Sequence, residues 1–155
     1  PIVTSFWMQK TAEMVKDDSK EGADRYSVKY TIQVWLQRDQ KLPVSVKDIP
    51  GDFIGAPENL TLTQQPNGAN ASISTDGQKD ADGAYTFSFG TTNADGMLKA
   101  GNYFFTYTAP LTEAGKAAIT DGTFNNSDAR KNTAELYNGG SDPVACPDIP
   151  RMRIR

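Results

Sequence analysis

The stretch Tyr26–Gln37, YSVKYTIQVWLQ, alternates apolar and mostly polar side chains over its whole length. Side chains on a β-strand point to opposite faces in turn, so this period of two gives one apolar face and one mostly polar face. A helix would distribute the same residues around its circumference. The stretch therefore predicts a long antiparallel strand with one face on a core. The apolar face consists of Tyr26, Val28, Tyr30, Ile32, Val34 and Leu36.

Two later segments carry aromatic residues at the same spacing of two. Aromatic and β-branched residues favour half-buried pleated surfaces. We expect these two strands to lie side by side and to supply most of the core against the apolar face of residues 26–37. The aromatic residues are Tyr85, Phe87 and Phe89 in the first segment and Tyr103, Phe105 and Tyr107 in the second.

The residues before Tyr26 predict a hairpin. Residues 2–16 alternate like a strand, and the charged, glycine-containing segment Asp17–Asp24 is typical of a turn. We interpret the pair as a long N-terminal hairpin arm, with a short helix over Thr11–Lys16 as the alternative.

The middle of the chain predicts short strands and loops. We expect strands at residues 42–46, 59–64 and 69–75, a loop at 48–57, and a turn at Gln65–Gly68 between the last two strands.

The sequence changes character after Pro110. Residues 111–119 are rich in alanine and favour a helical turn, and Asp128–Tyr137 reads as a short helix with Gly139 just past its end. Residues 140–155 read as an extended tail. The whole pattern predicts an all-β chain, an antiparallel β-sandwich over residues 1–139 with a long N-terminal hairpin, one short helix and an extended C-terminal tail.

Composition narrows the classes of function. A chain of 155 residues suits one domain, and a net charge of −3 does not favour a nucleic-acid binder. No apolar run approaches the roughly 20 residues of a membrane span, so we expect no membrane partner. Pro1 is compatible with removal of an initiator methionine, which favours a chain made in the cytosol, although a domain excised from a longer protein would look the same.

The sequence offers no catalytic constellation. It has no histidine, which removes histidine-based triads and most catalytic zinc sites. The single cysteine, Cys146, cannot form an intramolecular disulfide, and we interpret it as a packed or exposed thiol. Asp76, Asp80 and Asp82 are weak candidates for a calcium site, but Gln78 stands where a third oxygen ligand would be needed, and a turn is the preferred interpretation. We expect no enzyme activity, no cofactor and no metal.

Two sets of residues are candidates for contacts with other subunits. Trp7 and Trp35 fall on the polar faces of their strands, where they would either anchor an interface or cover the second side of the sandwich. The basic tail suits docking on a neighbouring protein subunit, with a weak, salt-sensitive contact to nucleic acid or a solvated tail as the alternatives. The tail residues are Arg151, Arg153 and Arg155.

The block Asp80–Pro110 contains DADGAYTF near its start, then LKAGNY, and ends in AP. This pattern resembles the "DxDGxYxF … LxAGxYxxxxxAP" endings of bacterial and phage immunoglobulin-like, transthyretin-like and pilin-type Cna-B modules. The resemblance implies a β-sandwich but transfers no function, since such modules serve as spacers, adhesins, pilus subunits and virion decorations. Cna-B domains also form lysine–asparagine cross-links near a catalytic acid. The glutamate normally found in the last strand is missing at Thr106–Thr108, so we expect no cross-link here.

These observations leave two hypotheses about function. We favour a non-enzymatic structural subunit of a large assembly, a bacteriophage or viral coat, decoration or tail protein made in the host cytoplasm. It would associate with copies of itself and other assembly proteins through its terminal arms. The alternative is an extracellular immunoglobulin-like adhesion or spacer module of a bacterial surface protein or pilus.

Overall fold

A computed structural model describes residues 5–146, and they form a β-sandwich of two four-stranded antiparallel sheets. The single α-helix of the described residues, α1, spans Glu113–Asp121. The strands, in chain order, are β1 (Phe6–Lys16), β2 (Tyr26–Leu36), β3 (Gln40–Lys41), β4 (Ser45–Pro50), β5 (Glu58–Gln64), β6 (Ala71–Ser74), β7 (Tyr85–Thr91), β8 (Met97–Leu98), β9 (Gly101–Pro110) and β10 (Asn132–Tyr137).

The first sheet has the order β1-β2-β9-β5 and the second has the order β10-β4-β7-β6, while β3 and β8 form a separate two-stranded ribbon. The central strand of the first sheet is β2, which runs antiparallel to β1 from the pair Phe6↔Leu36 to the pair Lys16↔Tyr26. The predicted all-β antiparallel sandwich is confirmed. No helix of residues 5–146 is long and apolar enough to cross a membrane.

The two aromatic strands pack face to face, not side by side as expected. The strand β9 is hydrogen-bonded to β2, whereas β7 lies in the opposite sheet. The ring of Phe87 meets that of Phe105 edge-on at 5.5 Å, and Phe89 meets Tyr103 edge-on at the same distance. The period of two determines which side chains are buried, but it does not say in which sheet a strand lies.

The predicted long N-terminal hairpin is confirmed, since β1 pairs with β2 along its whole length, but it is part of the sandwich and not an arm that leaves it. The inward side chains of β1, Phe6, Met8, Lys10 and Ala12, are all at most 5% exposed. The alternative of a short helix over residues 11–16 is wrong, since β1 remains a strand to Lys16.

Two predictions in the middle of the chain need correction. The predicted turn before Gly68 exists, with Gly68 at φ +73°, but the strands on its two sides enter different sheets instead of pairing. Residues 48–50, expected in a loop, complete β4.

The predicted helix at residues 128–137 is wrong. A single 3-10 turn at Asp128–Arg130 leads into β10, which pairs with β4 and buries Asn132, Ala134 and Leu136 in the core. Local capping signals suggested a helix, and pairing with β4 overrides them. The true helix α1 lies where a helical turn was expected; the Thr112 hydroxyl accepts a hydrogen bond from the Gly115 amide at its start.

The chain continues beside β10 after residue 139. The Val144 amide donates to the Leu136 carbonyl at 2.7 Å, and Cys146 packs against the core. The predicted boundary between a domain at 1–139 and a tail at 140–155 stays a prediction, because most of that tail lies outside the described residues.

Adjacent phenylalanines in β9 provide a matched test of the core. Phe105 is fully buried between Phe87 and Phe89, whereas Phe104 lies half-buried on the outer face. We expect Phe105→Ala to lower the free energy of unfolding by about 3–5 kcal/mol through lost burial and a cavity. Phe104→Ala should cost less than half as much in the same denaturant titration. Equal losses for the two variants would contradict the assigned inward face of β9.

Candidate functional site: a buried lysine, aspartate and asparagine

Three polar side chains lie inside the apolar core. Lys10, Asp48 and Asn132 are 1%, 1% and 2% exposed, and they are the buried polar or charged residues of the described chain. Burial of charged groups is costly unless they are paired and hydrogen-bonded. Their presence in the core therefore calls for a specific explanation.

Each of the three residues occupies an inward position of its strand. Lys10 alternates in phase with the buried residues of β1, Asp48 with those of β4, and Asn132 with those of β10. The register pairs Asp48 with Ala134, and Asn132 with Pro50. Asp48 and Asn132 are thus diagonal neighbours on one face of the second sheet. Lys10 reaches them from β1 in the first sheet.

Gly51 allows β4 and the segment before Asn132 to approach closely. Its amide donates to the Lys131 carbonyl at 2.7 Å. A Cβ atom at Gly51 would lie 2.4 Å from the Ala129 carbonyl oxygen, so a larger residue there would push the two segments apart. Glycine at this position therefore helps to determine where the side chain of Asn132 lies relative to that of Asp48.

The carboxylate of Asp48 contacts both other polar residues. The ammonium of Lys10 lies 2.6 Å from Asp48 Oδ1. The carboxamide nitrogen of Asn132 donates to Asp48 Oδ2 at 3.4 Å. The hydroxyl of Tyr107 also donates to Asp48 Oδ1. One acidic group therefore bridges an amine and a carboxamide in the core.

Aromatic rings surround the amine. Tyr30 and Tyr107 are opposite each other in the β2–β9 register, and their rings stack at 5.2 Å. The Lys10 nitrogen lies 4.7 Å from the ring centroid of Tyr30 and 5.7 Å from that of Tyr107, within the range of cation–π attraction. Phe87 contacts the ring of Tyr107 from the second sheet at 4.7 Å. The amine is held in a site without access to bulk water.

Burial shifts the pKa values of Lys10, Tyr30 and Tyr107 toward their neutral forms. Burial lowers the pKa of Lys10 to about 8, although the neighbouring Asp48 raises it in part. Burial, and then the charge of Asp48, raises the pKa of the Tyr107 hydroxyl, and burial likewise raises the pKa of Tyr30. A buried ion pair is weak evidence for stability, because desolvation offsets most of its attraction. The cluster therefore has the features of a chemical site more than those of a stabilising salt bridge.

Together, the three groups have the components of an aminolysis reaction. With its pKa lowered to about 8, about a tenth of the Lys10 amine is neutral and nucleophilic at pH 7, and the carbonyl carbon of a carboxamide is an electrophile. A carboxyl group in contact with both can move protons between them.

Among residues 5–146, none of the candidate residues named from the sequence belongs to this cluster. Trp7 and Trp35 lie opposite each other in the β1–β2 register, half-buried on the outer face of the first sheet, and their role as interface anchors stays a prediction. Arg151, Arg153 and Arg155 lie outside the described residues.

The aspartates considered for calcium serve turns. Asp80 accepts hydrogen bonds from the amides of Asp82 and Ala84, and Asp76 accepts one from Gln78. Within residues 5–146 no group of acidic side chains converges as a metal site. These contacts agree with the turn interpretation.

The thiol of Cys146 is half-buried and donates to the Val144 carbonyl at 3.7 Å. Burial raises its pKa, which reduces the thiolate fraction. The interpretation as a packed thiol therefore fits its environment.

Sequence reasoning overlooked the cluster for an identifiable reason. The expectation of no cross-link treated the strand containing Thr106–Thr108 as the last one, but β10 is the last strand of the described chain. The acid comes from β4, and β9 contributes Tyr107. The signal that was overlooked is that Lys10, Asp48 and Asn132 each occupy a position whose alternation matches the buried residues of the same strand.

Comparisons with known proteins bear on the fold. No family model matches the sequence, and no curated protein matches it. The Corynebacterium diphtheriae major pilin SpaA is similar in structure, with 18% identity, a TM-score of 0.48, and coverage of 92% of this chain and 33% of the pilin. ACE19, the collagen-binding subdomain of the Enterococcus faecalis surface protein ACE, has 12% identity, a TM-score of 0.44 and 99% coverage of both chains.

The Actinomyces fimbrial adhesin FimA is also similar, with 12% identity, a TM-score of 0.45, and coverage of 95% of this chain and 55% of the adhesin. The chain therefore spans about a third of the pilin and about half of the fimbrial adhesin. At these identities and TM-scores the similarities carry no further conclusion about this chain. The β-sandwich that the resemblance implies is observed in the structure itself.

The lowered pKa of Lys10 predicts how stability depends on pH when the carboxamide is absent. In Asn132→Ala, the unfolded lysine keeps its proton up to 10.5, whereas the folded one releases it at about 8. The unfolded state then binds more protons, so the free energy of unfolding should rise by about 1 kcal/mol between about pH 8 and about pH 9. As the pH approaches 10, tyrosines ionise in the unfolded state but not in the folded one, where their pKa is raised, and the trend reverses.

Denaturant titrations over this pH range measure the effect. The control is Asn132→Ala combined with Lys10→Met, which should lack the rise. The same slope in both proteins would show that another group is responsible.

Proposed function

We propose that this chain is a non-enzymatic β-sandwich module of a bacterial surface protein or pilus, and that an amide bond between Lys10 and Asn132 braces it. The observation that supports the proposal best is that Asp48 contacts the amine of Lys10 with one oxygen and the carboxamide of Asn132 with the other. All three groups are buried in one aromatic site.

The reaction balances without any added reagent. The neutral Lys10 nitrogen attacks the Cγ atom of Asn132 and forms a new C–N bond, while Asp48 donates a proton to the amide oxygen. The tetrahedral intermediate then collapses as the original C–N bond breaks: one proton passes from the attacking nitrogen through Asp48 to the leaving nitrogen, and the hydroxyl of the intermediate returns its proton to Asp48 as the carbonyl re-forms. The products are one secondary amide and one ammonia molecule, and Asp48 ends as it began.

The surroundings favour this reaction over a lasting ion pair. Burial lowers the pKa of Lys10, which eases transfer of its proton to Asp48 across their direct contact. That transfer leaves a nucleophilic amine and an acid in contact with the carboxamide. The folded sandwich holds the groups together, and such positioning replaces a bimolecular encounter.

The bond would join the first and last strands of the described chain. The strand β1 is an edge of the first sheet and β10 is an edge of the second. A bond between residues 10 and 132 would carry tension from one end of the module to the other without unfolding the strands between them. Each chain would react once with itself, so the chemistry is a maturation step and not turnover.

The surface module is preferred to the virion subunit for a structural reason. The virion hypothesis rested in part on terminal arms that reach onto neighbouring subunits, but the N-terminal hairpin lies within the sandwich, because β1 is one of its strands. A secreted module with a single cysteine has no intramolecular disulfide, and an internal amide would supply the missing covalent brace. Assembly with copies of itself or with other subunits remains part of the proposal.

The Corynebacterium pilin is known for a modular pilus assembly and stabilizing isopeptide bonds. For this chain, the cross-link is inferred from the contacts of Lys10, Asp48 and Asn132 alone.

Mass spectrometry of the intact folded protein tests the proposal directly. We expect a mass lower than that of the sequence by one ammonia molecule, and a protease digest should contain a branched peptide joining Lys10 to Asn132. Asp48→Ala should keep the full mass, because it removes the proton carrier. Lys29→Ala, which removes an exposed lysine of the adjacent strand, should react like the natural protein. A folded natural protein of full mass would refute the proposal.

Loss of the bond should also lower stability. In a chain-entropy estimate, a cross-link that closes a loop of residues 10–132 stabilises the fold by about 5 kcal/mol. We therefore expect Asn132→Ala to unfold at a much lower denaturant concentration than the natural protein. Asn125→Ala, which removes an exposed asparagine nearby, serves as the control and should match the natural protein. Similar midpoints for all three proteins would argue against a cross-link.

A further inference from the structure

We infer that Tyr107 is a positioning residue for amide formation, holding Asp48 by Oδ1 so that Oδ2 faces Asn132. The inference rests on the proposed reaction and assigns a role to a residue outside the reacting groups. Tyr107 acts through Asp48, since its hydroxyl donates to the carboxylate.

The contacts divide the two oxygens of Asp48 between different partners. Oδ1 accepts from Lys10 and from Tyr107, while Oδ2 accepts from Asn132. Without the second donor, Lys10 alone would hold Oδ1, and that contact weakens once Lys10 has given up its proton. The hydroxyl of Tyr107 remains a donor at that stage. It therefore keeps the carboxyl plane fixed during the step in which the orientation of Asp48 matters.

The ring of Tyr107 cannot easily move its hydroxyl away. It stacks on Tyr30 within the first sheet, and Phe87 packs against it from the second sheet. The residue is 1% exposed, so no rotation toward solvent is available. A donor that is fixed before the reaction needs no reorganisation during it.

Tyr107 also meets the charge that develops in the reaction. As Asp48 gives its proton to the carboxamide of Asn132, negative charge appears on the carboxylate, and the hydroxyl already points at one of its oxygens. The other titratable groups that face this carboxylate are Lys10 from β1, Tyr30 from β2 and Tyr85, its register partner in β7. Of the tyrosines, Tyr107 is the one whose hydroxyl donates to Asp48.

Tyr107→Phe is the direct test, since it deletes the hydroxyl and keeps the ring. Unreacted chain, solubilised from inclusion bodies in urea, is diluted into native buffer, and intact mass is followed over time. We expect amide formation to be slower by about tenfold, the effect of one lost hydrogen bond to a charged group. The acid limb of the pH–rate profile should move to higher pH, because the carboxylate loses a donor that favours its charged form.

Tyr103→Phe is the matched control. Tyr103 is another fully buried tyrosine of β9, but its hydroxyl donates to the Lys99 carbonyl at 2.5 Å and does not touch Asp48. This variant should react at the natural rate with an unshifted acid limb. A rate for Tyr107→Phe that equals the natural one, or a slower rate without a shift of the acid limb, would overturn the inference.

The outcomes separate this inference from the proposed function. A natural protein that folds at full mass refutes both. A natural protein that reacts, beside a Tyr107→Phe variant that reacts equally well, refutes only the role of Tyr107. Should Tyr107→Phe fail to fold, the natural sequence made with 3-fluorotyrosine replaces it. The stronger hydroxyl donor should move the acid limb to lower pH, and an unmoved limb would again overturn the inference.

Discussion

The ammonium of Lys10 lies in an apolar core, and the arrangement of the sandwich around it depends on its contact with Asp48. A lone charge in such a place would cost several kcal/mol even after local relaxation, so β1 can occupy the sandwich only if an acid meets it there. That requirement places β4 opposite β1, and the pairing of β4 with β10 then places Asn132 beside the same acid. The stacked rings of Tyr30 and Tyr107 fill the remaining space and face the charge with their π-electrons.

Much of the fold follows from the alternation of side chains along the sequence. The period of two in residues 26–37 gives the buried face of β2, and the aromatic spacing gives those of β7 and β9. This period does not assign strands to sheets, because a strand shows the same alternation of buried and exposed side chains in either sheet. The spacing alone therefore suggests that Phe87 and Phe105 are neighbours within one sheet, whereas the structure places them in opposite sheets. Residues 128–137 show the reverse problem, since the capping signals there are local and the pairing with β4 that decides the outcome is not.

The sequence indicates that each of the three polar residues of the site is buried, but it does not indicate that they lie together. Lys10, Asp48 and Asn132 each fall in phase with the buried residues of their strands, which is unusual for such side chains. Their convergence depends on the order of strands in two sheets and on the close approach at Gly51, neither of which the spacing of residues encodes. The family resemblance pointed away from the site, because it located the acid in β9 and took that strand as the last one.

The same interaction explains why a reaction at this site would run in one direction. Before the reaction, the core holds the amine of Lys10 and the carboxyl group of Asp48, whose charged forms are poorly solvated there. In their neutral forms, both groups can react with the carboxamide of Asn132. Afterwards, the amine is part of a neutral amide that requires no counter-charge, and ammonia leaves for solvent where it is readily solvated. The desolvation that makes the buried pair a poor source of stability thus becomes part of the driving force for its removal. A fold that buries these three groups together would therefore have its lowest free energy of unfolding when it first forms, and a higher one once the amide bond has replaced the charged pair.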